Sequence, residues 1–542
     1  MLGLMDNGGL PGVPVGGHRP TSPRWEARPV TAVRPEDLPT TDTDVLVVGA
    51  GPTGLMAGLV LARAGLRAVV ADQKSGPTRE SRALAVQPRT MEIYDQLGLA
   101  ERVMSDAYHA VRMQIGDREP ARGGVGIDRV QQGATRFPGI QVFEQSRNEE
   151  LLSAALTESG REILWDHRLI DLVDATSEPD GRVVALLEGP DGLIRVRARW
   201  CIGADGASSA VRRILNVPFE GVTDDATFWV ADVRGLHGLP DQTMTMRFGK
   251  STFGLTFPLG PGGHARLVSL ALDDHVDQGA ALASARGDLG LAFDSVDWFS
   301  SYRVHHRVAS RFRVGSVFLA GDAGHVHSPV GGQGMNTGLQ DAHNLALLLA
   351  DIARGHLDPV ALDRYERERR PVAVTLIKVT DRMFGIIGRR GTTVALLRRL
   401  GGTGVSGLAP RLLGTRFGAR LGGYLGQYRI RYHYLGKSNH LPAWADDQIV
   451  GLRLPPVGDN HQALRRLTWQ LHTYGSQADR PDLPDWIEHP QDFGRDEQQR
   501  LRPGRLYLVR PDSFIAASVP LRAKSADSSQ LRAALAAHDI KT

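Results

Sequence analysis

A glycine-rich turn near the start of the chain is the first place where residue types and spacing indicate chemistry. Gly49, Gly51 and Gly54 stand in the pattern GxGxxG, and Asp72 lies at the end of the next apolar run. Glycines let a backbone approach a pyrophosphate, a helix N-terminus offers it unpaired N–H groups, and an acid accepts hydrogen bonds from ribose hydroxyls. The turn therefore predicts a dinucleotide site. A structural turn is the alternative, and the motif alone does not separate NAD from FAD.

The glycine pattern by itself is a weak signal because glycine is common in this chain. With 62 glycines among 542 residues, about one such match is expected by chance. Gly402, Gly404 and Gly407 form a second match. No apolar strand precedes that copy and no acid follows it, so we interpret it as a loop.

The elements around the first copy have the order of a doubly wound sheet. An apolar run at residues 44–48 predicts a buried parallel strand, residues 55–64 predict a helix, and residues 66–71 predict a second strand. This β-turn-α-β order is the context that a dinucleotide motif requires.

A second strand-to-helix connection carries an acid and more glycines. The apolar run 317–320 leads into Gly321 and Asp322, and the glycine-rich stretch 328–336 leads into a predicted helix at 336–349. An acid at a strand end beside a helix N-terminus suits an electron-rich ligand. An ordinary strand-to-helix connection is the alternative.

The composition excludes several other classes of function. Cys201 is the one cysteine, which excludes an intramolecular disulfide framework, a CxxC pair, a thiolate zinc site and a Cys-ligated iron–sulfur cluster. A net charge of +4 argues against a nucleic-acid binder. No apolar run reaches about 18 residues and no apolar segment follows a basic start, so we predict no membrane span and no secretory signal. We therefore expect a cytoplasmic protein. Residues 1–40 are rich in Gly, Pro and Arg and have no apolar periodicity, which predicts a disordered arm.

A third segment, residues 201–213, contains Asp205 before Gly206 and alone indicates only a loop. In order and spacing, however, the three segments together resemble the FAD-dependent aromatic hydroxylases, the single-component flavoprotein monooxygenases related to p-hydroxybenzoate hydroxylase. The resemblance covers about residues 43–385. It is strongest to the larger members that hydroxylate aromatic polyketides or inactivate rifamycin-type antibiotics. It implies an α/β fold: a Rossmann-like FAD-binding domain, a β-sheet substrate domain and a C-terminal thioredoxin-like domain.

The resemblance also implies roles for individual residues. The three glycines of the first motif would contact the FAD pyrophosphate. Asp72, where the family usually has Glu, would contact the adenosine ribose. Arg82 matches an arginine near the pyrophosphate and the mobile flavin. Gln145 and Asp322 would bind the ribityl chain. The backbone N–H groups of residues 334–336 would face the N1/C2 carbonyl edge of the flavin.

Two further positions complete the expected cofactor site. Asp205 belongs to a motif tied to FAD and nicotinamide binding, and Leu169 would touch the adenine end. The expected cofactor residues are Gly49, Gly51, Pro52, Thr53, Gly54, Asp72, Arg82, Gln145, Leu169, Asp205, Gly321, Asp322, Pro329, Gly332, Gly334, Met335 and Asn336.

The activity that the resemblance implies is a monooxygenase reaction. NADPH or NADH would reduce a tightly but non-covalently bound FAD, and O2 would give a C4a-hydroperoxyflavin that donates one oxygen atom to a large aromatic substrate. A related flavoenzyme performing Baeyer–Villiger oxidation, epoxidation or dehydrogenation stays open as an alternative. So does a non-enzymatic FAD-binding protein. The oligomeric state also stays open, with a homo-oligomer as one alternative.

A predicted hairpin supplies the candidates for the substrate pocket. Apolar and polar residues alternate on both sides of the turn at 249–251, which indicates two strands with one apolar face. An ordinary sheet core is the alternative for each residue. The candidates are Met244, Met246, Phe248, Phe253, Leu255 and Phe257, together with Pro329.

The histidines offer candidates for a catalytic base by residue type alone. They are His305, His306, His325 and His327. No carboxylate joins them at a recognisable ligand spacing, so we predict no metal site.

The expected domain boundaries combine these segments with what the family resemblance implies. We predict an FAD-binding domain at 41–215 and 300–385, a β-rich substrate domain at 216–299, a helical connecting region at 386–447 and a thioredoxin-like domain at 448–542. The connecting region is rich in arginine and interrupted by glycine, which favours a solvated region or subunit contact over a membrane-surface helix. The last domain has no cysteine and therefore cannot exchange disulfides.

Overall fold

Short apolar runs joined by glycine turns form the sheets of the chain. A computed structural model describes residues 37–79, 83–115, 125–173, 181–249, 251–271, 276–327, 332–387, 423, 426–433 and 442–541. Arg82, Pro329, most of the predicted N-terminal arm and most of the predicted connecting region lie outside these residues.

The strands in the described part of the chain range from two to sixteen residues. They are β1 (Thr40–Val48), β2 (Ala68–Ala71), β3 (Ala85–Val86), β4 (Tyr108–Ala110), β5 (Arg112–Ile115), β6 (Val125–Gly126), β7 (Ile140–Val142), β8 (Ile163–Leu164), β9 (Arg168–Val173), β10 (Val183–Gly189), β11 (Gly192–Gly203), β12 (Phe219–Arg234), β13 (Thr243–Phe248), β14 (Phe253–Pro258), β15 (Ala265–Leu270), β16 (Ser295–Ala309), β17 (Arg313–Val314), β18 (Val317–Leu319), β19 (His325–Val326), β20 (Gln470–Thr473), β21 (Gln491–Asp492), β22 (Arg505–Val509), β23 (Ile515–Arg522) and β24 (Ser525–Ala526).

The α-helices in the described part of the chain are α1 (Pro52–Arg63), α2 (Pro88–Gln96), α3 (Ala100–Asp106), α4 (Ile127–Gln131), α5 (Gln145–Glu158), α6 (Ala210–Ile214), α7 (Gln278–Gly287), α8 (Gly334–Ala353), α9 (Asp363–Ile387), α10 (Asn460–Leu464) and α11 (Ser528–Ala537). None of these helices is long and apolar enough to cross a membrane. The strand-to-helix connection at residues 321–336 is called the second motif below. Two long helices, α8 and α9, follow it.

The first sheet has the predicted β-turn-α-β start. Its order is β17-β18-β11-β1-β2-β8, and β1 pairs in parallel with both β2 and β11. The strand β11 also pairs in parallel with β18, so the carboxyl ends of β1, β2, β11 and β18 meet at one edge. Strands buried on both faces read as continuous apolar runs, and Val45, Leu46 and Val47 are fully buried.

The second sheet, which we call the substrate sheet, has the order β19-β16-β12-β15-β14-β13-β5-β6. Alternate residues of β12 face opposite sides. Phe228 packs with Phe253 on one side, whereas Trp229 packs with the apolar residues of α7 on the other. The predicted boundary between residues 299 and 300 therefore falls inside β16, which pairs with β12 along nearly its whole length. The strands β5 and β6 join the same sheet although they lie in the range predicted for the FAD-binding domain.

The C-terminal part of the chain forms a third sheet in the order β21-β20-β22-β23-β24. It is joined to α8 and α9 by buried charged groups. Arg510 donates to both carboxylate oxygens of Glu368, at 2.5 and 2.9 Å, and to Asp512 at 2.7 Å. Asn344 of α8 donates to the same two carboxylates. All four side chains are buried, so each charge depends on its partners for solvation.

Replacing Arg510 with Met is expected to destabilise the protein strongly. The change leaves Glu368 and Asp512 as neighbouring buried carboxylates, and breaking a buried ion pair in this way costs about 3–5 kcal/mol. The matched control is Arg102→Met, because the ion pair of Arg102 with Glu158 is exposed and such pairs contribute about 0–1 kcal/mol. Thermal unfolding measures both. Equal melting temperatures for the two variants would contradict a structural role of the buried cluster.

Candidate functional site

A cleft of about 780 Å³ lies where the strand ends of the first sheet face the substrate sheet. Binding sites in doubly wound folds form at this edge, outside the carboxyl ends of the strands. Residues from all three sequence segments line it. From the predicted cofactor set the structure brings together Gly49, Gly51, Pro52, Thr53, Asp72, Gln145, Leu169, Asp205, Asp322, Gly332, Gly334 and Met335.

The three glycines of the first motif differ in what surrounds them. A Cβ on Gly49, whose φ is +105°, would lie 2.4 Å from the carbonyl oxygen of Ala204, and one on Gly54 would lie 1.8 Å from that of Gly49. Packing within the chain therefore requires these two. A Cβ on Gly51 would meet nothing within 4 Å. Because Gly51 lines the cleft at the N-cap of α1, its open space is room for a ligand to approach the helix N-terminus.

Asp72 and Glu149 shape the part of the cleft beside α1. The Asp72 carboxylate accepts from the backbone N–H of Ala50 at 2.5 Å and of Lys74 at 2.9 Å, which ties β2 to the glycine turn. Glu149 is buried and accepts from Lys74 Nζ at 3.2 Å and from Gln145 Nε2 at 2.9 Å. The predicted residue Gln145 is therefore held by the carboxylate of Glu149, which belongs to no recognisable sequence motif.

Asp205 places one buried acceptor without a partner at the cleft. Its Oδ2 accepts from the backbone N–H groups of Ala210 at 2.6 Å and Val211 at 3.1 Å, which caps α6. Its Oδ1 is buried and, within the described residues, has no donor. Burial raises the pKa of Asp205, although these hydrogen bonds oppose the shift. The free oxygen suits a ligand that donates a hydrogen bond.

The second motif places Asp322 and a helix N-terminus on the same cleft. Asp322 lines the cleft. Desolvation of its carboxyl by the surrounding protein and the nearby charge of Asp341 raise the pKa of Asp322, whereas His325 acts to lower it. Gly334 and Met335, the first residues of α8, also line the cleft. Unpaired N–H groups and the helix dipole make this end attractive to negative charge.

Asn336 lies beneath the cleft rather than on it. It is fully buried, and its Oδ1 accepts from the backbone N–H of Gln87 at 2.8 Å and from Thr90 Oγ1 at 2.7 Å. Its Nδ2 donates to the carbonyl oxygens of Ala85 and Gly332, both at 2.7 Å. The Asn336 side chain thus fastens the first turn of α8 to the segment before α2. Gly54 and Gly321 are also buried and are not among the described residues that line the cleft.

A buried ion cluster supports the Asp322 turn from behind. His325 Nε2 lies 2.7 Å from Asp341 Oδ2, and Arg369 Nε donates to Asp341 Oδ1 at 2.6 Å. The backbone N–H of Gly321 donates to the same carboxylate at 3.2 Å. Burial acts to raise the pKa of Asp341, but the neighbouring Arg369 and His325 outweigh it and lower the pKa.

Of the four candidate histidines, this cluster contains His325. In the sequence no carboxylate joins the histidines at a recognisable ligand spacing, because Asp341 reaches His325 only through the fold. His327 lines the cleft, whereas His305 and His306 lie on β16 opposite β12. In the described part of the chain, no three His, Cys, Asp or Glu side chains are grouped as a metal site.

The substrate sheet closes the other side of the cleft with apolar and aromatic side chains. Of the predicted pocket residues, Leu255 and Phe257 line it. Met244, Met246, Phe248 and Phe253 are not among the described residues that do so. Met244 packs with Leu84 in a separate cluster, and Phe253 packs fully buried beside Phe228. Met246 lies opposite Leu255 in the hairpin but does not line the cleft, so both the strand and the position along it decide which residues of one apolar face reach the cleft.

Sequence reasoning missed the contribution of β16. Trp298, Ser300 and Tyr302 alternate along this strand and all line the cleft, with Phe228 from β12 and Val268 from β15. Trp298 packs 5.3 Å from the guanidinium of Arg266, and Tyr302 stacks on Phe228 at 6.1 Å between ring centroids. Residues 298–302 show no simple apolar–polar alternation, because Ser300 is polar and lines the cleft, whereas Phe299 is aromatic and stacks on Trp229 on the other side.

Three comparisons relate this chain to known proteins. A family model described as an FAD binding domain matches residues 42–380. The 6-methylpretetramide 4-monooxygenase of Streptomyces rimosus is 32% identical over 87% of this chain and 90% of its own length. The FAD-dependent monooxygenase terD of Aspergillus terreus is 32% identical over 62% of this chain, which spans 58% of that relative. Among solved structures, the OxyS anhydrotetracycline hydroxylase from Streptomyces rimosus matches 92% of this chain and 99% of its own, with a TM-score of 0.71 and 28% identity.

The glycines of the first motif allow a paired test. Gly51→Ala should fold normally, because its methyl group enters open space, but should bind FAD about tenfold more weakly, a loss of ~1.4 kcal/mol. Gly54→Ala should instead lower the melting temperature, because its methyl group overlaps the Gly49 carbonyl and such overpacking costs about 1–3 kcal/mol. Flavin titration and thermal unfolding of both variants check this. Unchanged FAD affinity in Gly51→Ala would remove the assignment of the open space to a ligand.

Proposed function

The chain belongs to the FAD binding domain family and is an FAD-dependent monooxygenase, and from that premise we propose that it transfers one oxygen atom to a large aromatic substrate in the cleft described above. The resemblance of the three sequence segments to this family is thereby confirmed. The observation that carries the proposal is the joining, in one cleft, of two helix N-termini and an aromatic sheet face.

The residues at the cleft fit FAD. The open approach at Gly51 suits a pyrophosphate, the unpaired Oδ1 of Asp205 suits a hydroxyl or amide donor, and the first turn of α8 suits an electron-rich ring edge. When bound, FAD accepts a hydride from NAD(P)H and then supplies the reducing equivalents that activate O2 for oxygen transfer.

The chain's own part in the reaction is binding, orientation and exclusion of water. The N-terminus of α1 binds the diphosphate, and Asp72 lies where the adenosine ribose is expected. Asp322 and Gln145 orient the ribityl chain. The backbone N–H groups at the start of α8 stabilise negative charge on the ring edge that faces them. Arg82 and Pro329 are proposed to join this set on the resemblance alone.

The substrate side of the cleft favours a planar, apolar molecule. Trp298, Tyr302 and Phe257 offer ring faces and edges, whereas Ser300 and the Tyr302 hydroxyl offer polar contacts. The named substrate of the Streptomyces rimosus relative is 6-methylpretetramide, and an aromatic polyketide of that class suits this wall.

Other parts of the assignment complete the proposal. We propose that the protein is cytoplasmic, with a homo-oligomer as one alternative for its assembly. We assign residues 448–542 to a thioredoxin-like domain, which is supported by the mixed sheet β21-β20-β22-β23 with the helix α11 after it. This domain has no thiol, because Cys201 lies in β11 and is buried.

The function is tested on the purified protein by its absorption spectrum and its turnover. We expect a bound-flavin spectrum, NAD(P)H oxidation that a polycyclic phenol accelerates, and a product heavier by one oxygen atom. Comparing NADPH with NADH identifies the reductant. Accelerated NAD(P)H oxidation with a product that has lost hydrogen, or no oxygenated product, would favour a different flavin reaction. A colourless protein that takes up no FAD would contradict the proposal.

Two neighbouring aromatic residues of β16 test the substrate wall. Trp298→Leu should raise the KM for the aromatic substrate about 3- to 10-fold, because an aromatic pair contributes about 0.5–1.5 kcal/mol beyond its buried area. Phe299→Leu is the matched control, because Phe299 points to the opposite face and stacks on Trp229. Steady-state kinetics at saturating NAD(P)H measures both. An equal rise of KM in the two variants would show that the wall does not contact the substrate.

A further inference from the structure

Gln427 lies beyond residues 42–380, which the family model matches. Its side chain nevertheless contacts α8, the helix whose first turn lines the cleft. It belongs to the segment 426–433, which we call the strap. Gln427 is 5% exposed and adopts a left-handed backbone conformation with φ of 57°. A buried residue in a conformation that L-residues disfavour is held there by its surroundings.

The Gln427 amide joins a buried polar network on α8. Its Nε2 donates to Thr337 Oγ1 at 2.9 Å and to Gln333 Oε1, and its Oε1 accepts from Gln340 Nε2. All four side chains are at most 5% exposed. Inside a protein, an unpaired amide costs more than a paired one contributes, so removing one member takes a hydrogen-bond partner from each residue bound to it.

This network ends on the turn that lines the cleft. Gln333 is the N-cap residue of α8, and Gln333, Gly334 and Met335 all line the cleft. The carbonyl oxygen of Gln333 accepts from Thr337 and, at 3.4 Å, from Gln427 Nε2. On its other side, Asn336 binds the segment before α2. The turn is therefore held from two sides, one of which is the strap.

The strap is fixed in turn by the C-terminal sheet and by α9. The backbone N–H of Tyr432 donates to the carbonyl oxygen of Gly451 at 2.8 Å, and its ring stacks on Phe514 at 4.1 Å. Arg369, which binds Asp341, also donates to the Tyr432 hydroxyl at 3.2 Å. The position of Gln427 thus depends on residues that follow the FAD-binding region.

We propose that Gln427 is a positioning residue for the cofactor-facing turn of α8, and that the C-terminal part of the chain contributes to flavin binding through it. The inference rests on the proposed binding of the flavin at this turn. Gln427 itself does not line the cleft; it acts by fixing Gln333 and the N–H groups that follow.

The test compares variants that keep the volume of the side chain but change its hydrogen bonds. Gln427→Met removes the amide, and Gln427→Glu replaces the donor with a second acceptor facing the oxygens of Gln333. Gln340→Met removes one hydrogen bond to Gln427 from the other side of the network. The matched control is Gln470→Met, because Gln470 is also buried but its partners are Ala463 and His472 within the C-terminal sheet region.

FAD titration into the deflavinated full-length protein and the visible absorption spectrum of the bound flavin are the two readouts. We expect Gln427→Met to weaken FAD binding about tenfold, Gln427→Glu to weaken it further and Gln340→Met to weaken it less. These variants should also shift the flavin spectrum, whereas Gln470→Met should leave both readouts within about twofold of the wild type.

Two outcomes would overturn the inference while leaving the proposed function intact. One is wild-type FAD affinity and spectrum in both Gln427 variants. The other is equal weakening in Gln427→Met and Gln470→Met, which would show general destabilisation. Failure of the wild-type protein itself to bind FAD would contradict the proposed function instead, so the two failures are distinguishable.

Discussion

The close approach of α1 and α8 at Thr53 is the constraint on which the cleft depends. A Cβ on Gly338 would lie 2.4 Å from Thr53 Oγ1, and one on Gly321 would lie 2.5 Å from it. Gly321 of the Asp322 turn and Gly338 of α8 therefore make room for the side chain of Thr53 from the first motif. Because the backbones can approach this closely, two helix N-termini that are far apart in the sequence face the same space.

The remaining parts of the site are arranged around these two helix ends. The acids Asp72, Asp205 and Asp322 stand at strand ends or turns beside them, and the substrate sheet closes the opposite side with aromatic rings. The supports lie one layer further out: Asp341 with His325 and Arg369, Asn336 with the segment before α2, and Gln427 with the N-cap of α8. A cleft that must present several backbone N–H groups at fixed positions requires such supports, since small displacements weaken electrostatic stabilisation.

The sequence predicts the local parts of this arrangement well. Glycines at strand ends, apolar runs and acids at turns are short-range signals, so the first βαβ unit and the β13–β14 hairpin are found where these signals put them. Twelve of the predicted cofactor residues line one cleft, and several of these were expected from the family resemblance alone. The predicted family is confirmed by the match to residues 42–380, and the α/β fold class also by the likeness to a solved hydroxylase structure. The thioredoxin-like assignment of residues 448–542 stays a prediction. The assignment of individual roles at the cofactor stays a prediction.

What the sequence could not give are the contacts between distant segments. Trp298 and Tyr302 belong to a strand whose sequence shows no simple apolar–polar alternation. The strand β16 crosses the predicted domain boundary because it pairs with β12 on both sides of it. Met244 and Phe253 share the apolar face of the hairpin, but only tertiary packing determines that they lie away from the cleft. Asp341 and Gln427 carry no motif, because their partners come from other elements of the fold.

A crystal structure of the protein with FAD tests the central claim most directly. The account predicts the diphosphate against the backbone at Gly51, with the isoalloxazine edge at the first turn of α8 and its rings between that turn and the substrate sheet. A diphosphate bound away from Gly51, or a flavin whose ring system never approaches residues 334–336, would contradict it.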